Sequence, residues 1–365
     1  MTGKKINYEY LNLYQEIPLL LALSVERLFR TKPRETGHAT LIVNTCLIGE
    51  FAASLPAVRD YILRQGGHEV DLLVSPPLKS LAERVRGVRK VYVARSLYGR
   101  RNEDDSGSAQ QFPAYDTIFV MRISTDAFRH IRGISARVVR TGLREYSRYA
   151  LHLWWSLILR RLPMQWRELN FNMLGGEMRD IPFDDLFQCT ESDLASVASL
   201  EELKTSEKKI IIHTGAGWVM KHWERDKWVA LLGRIQALGG VRFIFVGGDD
   251  DAEEAAAIAS HLGFPTYSLV GKISLLQLLL VLRQSDYFIG TDSGPRNMAH
   301  LADTRSVTIL GPGPHFYMPW DSRDIAIDKT RGRGVIQMFL SAEHGFTHEI
   351  TVEEVYDAFI QLWNL

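Results

Sequence analysis

A chain of 365 residues, 46% hydrophobic and 24% charged, is too long for one ordinary core and suits two soluble domains. Its 43 lysines and arginines balance 43 aspartates and glutamates, which excludes a global field for nucleic acid, so a charged partner must meet a local patch. The two cysteines, Cys46 and Cys189, lack metal-ligand spacing and exclude a disulfide framework, in keeping with a reducing, cytoplasmic compartment.

Residues 1–37 form a leader. Lys4-Lys5 precedes the apolar run Ile17-Pro18-Leu19-Leu20-Leu21-Ala22-Leu23, but Glu16 opens that run and Glu26-Arg27 closes it, without a small-residue cleavage site. The run is therefore expected not to be a signal peptide but first a helix packed on the core and second a membrane-surface anchor. No apolar run approaches the roughly 20 residues needed to span a bilayer. His38–Asn44 then reads as a buried strand, followed by a helical pattern through Leu55, Val58, Tyr61 and Ile62. "HEVDLLVS", "KVYVA", "YDTIFVMR" and "ARVVRTG" read as further strands, with "LKSLAERV" a helix and residues 100–111 a polar surface loop. Strands alternating with helices predict parallel βαβ units.

The polar stretch 190–208 reads as the boundary between two halves, and the pattern then restarts. "KIIIHTGAG", "VRFIFVGG", "YSLVG", "YFIGTDSG" and "SVTILGPG" read as strands separated by helices, a complete doubly wound domain. Thr351 and Glu354 form a capping box opening the helix "VEEVYDAFIQLW". The fold expected is α/β, with two Rossmann-like parallel-sheet domains facing each other across a cleft: 1–195, 205–345, and a helix at 350–365 packing back on the first domain.

Three stretches of the second half carry chemistry. In "GTDSGPRNMAH", Gly294 and Pro295 start a helix whose first N–H groups are free, which makes an anion site with Ser293 as an added hydroxyl donor. Asp292 either caps that helix or accepts from a sugar hydroxyl. In "HTGAGWVMKHWERDKW", glycines after a strand let backbone donors approach a phosphate and Lys221 offers a mobile positive charge, while Trp223 and Trp228 read as core. In "VGGDDDAEEA", Asp249, Asp250 and Asp251 read first as helix caps, second as ribose ligands and last as a metal site.

The stretch "LVGKISLLQLLLVLRQSDYFIGTDSGPRNMAHLADTRSVTILGPGP" resembles the C-terminal signature of glycosyltransferase family nine, the heptosyltransferases of lipopolysaccharide core assembly. "HTGAGWVMKHW" resembles that family's phosphate loop, its lysine falling on Lys221. "LIGEFAASLPAVRDYILRQGGHEVDLLVSP" resembles its Gly-Asp-x-x-x-x-x-Pro segment. The resemblance covers most of residues 38–345. It implies the two-domain GT-B fold, a nucleotide-sugar donor in the C-terminal half (ADP-heptose is one candidate), and inversion at the anomeric carbon with no metal or other cofactor. On it, Thr214, Gly215, Ala216, Gly217, Asp249, Val270, Gly271, Asp292, Ser293, Gly294, Pro295 and Asn297 are expected at the donor, with Lys221 beside the diphosphate. The family's catalytic aspartate falls on Glu50 and its motif histidine on Asn297. Glutamate keeps the carboxylate one methylene further out, and asparagine keeps hydrogen bonding without titration near neutral pH. On the residues alone Glu50 is a glutamate at a helix start; with the resemblance it is the general base.

Between 122 and 167 ten arginines face only Asp126 and Glu145, around "YALHLWWSLIL" with Trp154 and Trp155. This segment reads either as a docked apolar helix with solvated flanks or as a surface for an anionic glycan or glycolipid acceptor, with Arg122, Arg144 and Arg148 as acceptor contacts. The second setting carries peripheral contact with the inner membrane surface. A nicotinamide-dependent oxidoreductase would need G-x-G-x-x-G early in a Rossmann half, and no such run is present. A catalytically degenerate nucleotide-sugar binder or scaffold is the alternative that Glu50 and Asn297 leave open.

Overall fold

The computed structural model describes residues 8–29, 39–95, 110–145, 147–148, 151, 166–215, 221–311, 321–329 and 346–364. They fall into two compact units, one drawn from Met1–Ala150, Arg167–Ile181 and Asp185–Gln188, the other from Leu151–Trp166, Pro182–Asp184 and Cys189–Leu365.

The first unit is built on five parallel strands, β1(Ala39–Asn44), β2(Glu69–Val74), β3(Val88–Val93), β4(Tyr115–Arg122) and β5(Ala136–Arg140), in the order β3-β2-β1-β4-β5. Every residue of β1 is buried, as a central strand covered on both faces requires, which is why Leu41-Ile42-Val43 is a continuous apolar run instead of an alternating one. Helix α1(Tyr8–Phe29) lies on β5 and on α3(Thr125–Arg132), burying Leu20 and Leu23. It is thus a packed helix, and no helix among the described residues is long and apolar enough to cross a membrane. Helix α2(Ile48–Arg64) follows β1 at once, so its first turn stands at the carboxyl end of the sheet. Near the amino ends, the buried Asp71 carboxylate accepts from Tyr115 Oη at 2.6 Å and from Arg89 through two nitrogens, a network that ties β2, β3 and β4 together. Helix α4(Trp166–Met173) adds Leu169 and Phe171 to the buried set.

The second unit has six parallel strands, β6(Lys208–His213), β7(Val241–Phe245), β8(Tyr267–Ser268), β9(Tyr287–Thr291), β10(Arg305–Leu310) and β11(Asp324–Asp328), in the order β11-β10-β9-β6-β7-β8. Its helices are α5(Glu191–Ala198), α6(Arg225–Gln236), α7(Ala252–Ser260), α8(Leu275–Arg283), α9(Gly294–Leu301) and α10(Val352–Trp363). Two expectations need correction. The stretch read as a polar boundary contains α5, opened by a capping box between Thr190 and Asp193 and packed on α8, so the segment from Cys189 onward already belongs to this unit. Few of its side chains are buried, Val197 among them, which is why its apolar signal is faint. The terminal helix α10 packs within the second unit. Val355, Ala358, Phe359 and Leu362 enter one core with Ile210, Phe243 and Tyr287, and the Phe359 ring meets the Tyr287 ring edge-on at 5.2 Å.

In each sheet the strand order reverses once, between β1 and β4 and between β9 and β6. The connections leaving those neighbouring strands run in opposite directions and open a crevice at the carboxyl ends, where ligands of such sheets bind. Replacing Phe359 with Ala should cost the second unit roughly 3–5 kcal/mol by leaving a cavity under α10. A denaturant titration followed by tryptophan fluorescence checks this, and an unchanged midpoint contradicts it.

Candidate functional site

At the reversal point of the second unit, the segments after β6 and β9 are joined. Lys221 Nζ donates to Asp292 Oδ2 at 2.9 Å, and both residues are buried, 7% and 6% exposed. Thr291 Oγ1 donates to the Gly215 carbonyl. Gly311, at the end of β10, is what allows Lys221 so close: a Cβ there would lie 2.7 Å from Lys221 Cγ and 2.9 Å from its Cα. The lysine is therefore not the mobile charge that the sequence suggests but a fixed, desolvated one. Asp292, likewise, does not cap α9. Its carboxylate is taken by the lysine, and the N-cap is Ser293, in extended conformation with no cap bond from its own side chain.

Helix α9 is anchored from beneath. Arg296, fully buried in its first turn, donates to Asp324 Oδ2 at 2.7 Å, while Asp324 Oδ1 accepts from Ser306 Oγ at 2.8 Å. Gly294 and Pro295 occupy the first two helical positions, so the opening N–H groups have no intrahelical partner and the positive end of the helix dipole lies beside Lys221's partner Asp292. Such a corner suits an anion with several oxygens. The Ser293 hydroxyl points elsewhere, 3.0 Å from His213 Nδ1 and 3.1 Å from the Thr291 carbonyl, to which it donates. His213 Nε2 in turn faces Asp251 Oδ2 at 3.5 Å. Burial pushes the Asp251 carboxyl up, but the contact and charge of His213, the Gly248 N–H and the charge of His222 outweigh it and hold the group below its ordinary value.

The remaining expected donor residues divide. Thr214 is buried, and Gly271 donates its N–H to the Gly247 carbonyl at 3.0 Å with the Asp249 carboxylate lying over it and Val270 buried alongside. Asn297 is buried one turn into α9, where its Nδ2 donates to the Ser293 carbonyl at 3.4 Å. Ala216 and Gly217 lie outside the described residues, as do Trp154 and Trp155. Trp223 and Trp228 are core residues with rings edge-on at 5.2 Å. Sequence reasoning missed His213 and its link to Asp251. The available signal was a histidine ending a buried strand immediately before the glycines.

At the reversal point of the first unit, a one-residue shift in the β1–β4 register sets Asn44 opposite Arg122 and brings the arginine to the carboxyl end of β1. Arg122 Nε is 3.6 Å from Glu50 Oε2 in the first turn of α2, and its Nη1 is 3.9 Å from Glu16 Oε2 of α1. Arg122 is thus a buried group between two carboxylates. Arg144 and Arg148 are exposed, and no ion pair among the described residues joins either of them to Glu50. Burial, together with Glu50 and Glu16 and against Arg122, raises the nearby Cys46 thiol well above its usual value. Glu16 is a second residue missed from the sequence. Among the described residues, no group of three His, Cys, Asp or Glu side chains is arranged to hold a metal.

The sequence profile of glycosyltransferase family 9 (heptosyltransferase) matches residues 115–335. The chain belongs to glycosyltransferase family 9. It is 25% identical over 130 residues to lipopolysaccharide heptosyltransferase 3 of Escherichia coli, 34% of this chain and 38% of that one. It is 27% identical over 144 residues to lipopolysaccharide heptosyltransferase 1 of Campylobacter coli, 38% of this chain and 42% of that one. The match thus spans about two fifths of either curated relative. Two solved structures share the fold: a family 9 glycosyl transferase from Veillonella parvula, TM-score 0.66 at 15% identity over 89% of this chain and 96% of that one, and E. coli ADP-heptose lps heptosyltransferase II, TM-score 0.65 at 17% identity over 89% and 98%. The fold is the two-sheet α/β class GT-B. For this family 9 chain, Lys221, Asp292, Ser293 and Asn297 fall inside the profile match and Glu50 outside it.

Two outcomes follow. Lys221→Met leaves Asp292 buried without its cation and should cost roughly 3–5 kcal/mol, whereas replacing both residues with apolar side chains should cost far less; denaturant midpoints of the three proteins check this. Because the folded Asp251 carboxyl titrates below its ordinary value, its stabilising contribution is complete above about pH 4 and is lost as pH falls through that lower value. The stability gap between parent and Asp251→Asn should therefore be widest near neutral pH and shrink in acid, measured by urea unfolding at a series of pH values.

Proposed function

We propose that the chain is an inverting glycosyltransferase. It moves a heptose or related sugar from a nucleoside-diphosphate donor to a hydroxyl of an anionic surface glycan or lipopolysaccharide-type acceptor. The observation that carries this reading is the desolvated Lys221 beside the uncapped start of α9, at the reversal point of a doubly wound sheet. A leaving diphosphate gathers negative charge as its bond to the anomeric carbon breaks, and preorganised N–H groups with one buried cation are suited to receive it. ADP-heptose is the favoured donor, since the similar E. coli protein is named for it.

Glu50 supplies the base. Its carboxylate takes the proton of the acceptor hydroxyl as that oxygen attacks the anomeric carbon from the face opposite the diphosphate, which inverts the configuration. Its place in the first turn of α2, at the reversal point of the other sheet and 3.6 Å from Arg122, supports this role. As proposed, the reaction calls on no metal, because the diphosphate charge is met by Lys221 and by the helix. With a lipid-borne acceptor the enzyme would work at the cytoplasmic face of the inner membrane through peripheral contact, and the exposed Arg144 and Arg148 are suited to meet anionic groups there.

Nucleotide release from ADP-, UDP- and GDP-sugars with extracted surface glycan as acceptor tests the reading. Glu50→Gln should lower turnover by about 10²–10⁴-fold while leaving nucleotide affinity unchanged. A parent protein that binds nucleotide yet turns over no donor would instead favour a non-catalytic nucleotide-sugar binder.

A further inference from the structure

Behind the start of α9 stands a chain of three side chains that the reaction above does not use. Ser293 Oγ is 3.0 Å from His213 Nδ1, and His213 Nε2 is 3.5 Å from Asp251 Oδ2. Each comes from a different element: the last residue of β6, the turn after β7 and the N-cap after β9. The neighbouring sequence makes room for the carboxylate. A Cβ at Gly215 would sit 1.8 Å from Asp251 Oδ1, one at Gly247 would sit 2.4 Å from Oδ2, and the Gly248 N–H donates to Oδ2 at 2.9 Å. Two positions thus exclude every side chain so that one aspartate can reach one buried histidine.

The proton inventory gives the arrangement a purpose. Ser293 has one hydroxyl proton, now directed at the Thr291 carbonyl 3.1 Å away or at the imidazole. We infer that His213, oriented by Asp251, is a positioning residue that aims the Ser293 hydroxyl at the diphosphate of the donor. This rests on the donor-site reading above. With a phosphate oxygen at the helix start, Ser293 donates to it and His213 Nδ1–H donates to Ser293 Oγ, so one hydrogen bond strengthens the next. On ligand binding the ring takes up one proton from solvent, so that Nδ1–H faces Ser293 and Nε2–H faces Asp251, whose carboxylate supplies the counter-charge. Apart from that N–H bond, no covalent bond forms or breaks in this step.

Calorimetric titration of ADP, UDP and GDP into the purified full chain and its variants tests the inference, with thermal unfolding to verify that each variant folds. For the nucleotide that the parent binds, His213→Phe should weaken affinity roughly ten- to hundredfold, as losing a hydrogen bond to a charged group does. Ser293→Ala should do the same, and the double variant should be no weaker than Ser293→Ala, because the histidine acts only through the serine. His213→Asn, whose amide can donate from near the Nδ1 position, should recover part of the loss, and Asp251→Asn should weaken binding about tenfold. If His213→Phe does not fold, His213→Asn and Asp251→Asn in the Ser293→Ala background give the same reading. Unchanged affinity in the histidine and aspartate variants, or losses that add to that of Ser293→Ala, would overturn the inference while the donor site stands. A parent that binds none of the three nucleotides overturns the donor site and this inference with it.

Discussion

The ion pair between Lys221 and Asp292 is the interaction on which the second unit's site depends. Two charges removed from water lose several kcal/mol of hydration each, and the pair persists only because its geometry is close and its surroundings fixed. Those surroundings are specific. Gly311 admits the lysine backbone, the Thr291 hydroxyl clamps the Gly215 carbonyl, and the Arg296–Asp324 pair holds α9 from beneath. The result is a cation that cannot relax into solvent, set at the positive end of a helix. In the proposed reaction an arriving diphosphate competes with Asp292 for that cation, and the carboxylate it releases is then free to accept from a sugar hydroxyl. Binding of phosphate and recognition of the sugar would be two halves of one exchange.

The first unit repeats the architecture with a different set of charges. There too the site lies where strand order reverses, but the charges run Glu16, Arg122, Glu50, with the guanidinium between two carboxylates. In the proposed reaction, where Glu50 is the base, the buried guanidinium stands beside it as a neighbouring positive charge. Glu16 reaches this point because α1, ahead of the first strand, packs across α3 and β5 with Glu16 buried. One unit therefore gathers donors for negative charge, and the other gathers acids around a fixed arginine.

What the sequence made legible follows from how far each signal had to travel. Central parallel strands are buried on both faces, so β1, β4, β6 and β9 appear as continuous apolar runs, and Tyr115–Arg122 could be bounded from its residues alone. The strand β11 could not: it lies at a sheet edge, begins and ends with aspartate, and is half exposed along most of its length. α5 was hidden for a similar reason, being a helix with an acidic first turn and few buried side chains. The glycine and serine corner at 293–295 was readable because a helix start has local grammar. The burial of Lys221 was not, because it depends on Asp292, 71 residues away. His213 and Asp251 are 38 residues apart and meet only when β6 and β7 lie side by side in register.

Asn297 is where the site differs from the pattern that its family resemblance implies. The resemblance puts a histidine at this position, one turn into α9. Here the side chain is 2% exposed, its Nδ2 reaches the Ser293 carbonyl at 3.4 Å, and its Oδ1 is buried with no hydrogen-bond partner. A buried acceptor left unpaired costs about 1–3 kcal/mol, a cost that a ligand hydroxyl or amide placed against it would remove. An asparagine cannot carry a proton, so any imidazole acting on the diphosphate must come from elsewhere, and His213 approaches the same serine from β6. In the proposed reaction the charge of the donor would be met by Lys221, the helix start and His213 behind Ser293, while position 297 offers neutral hydrogen bonding.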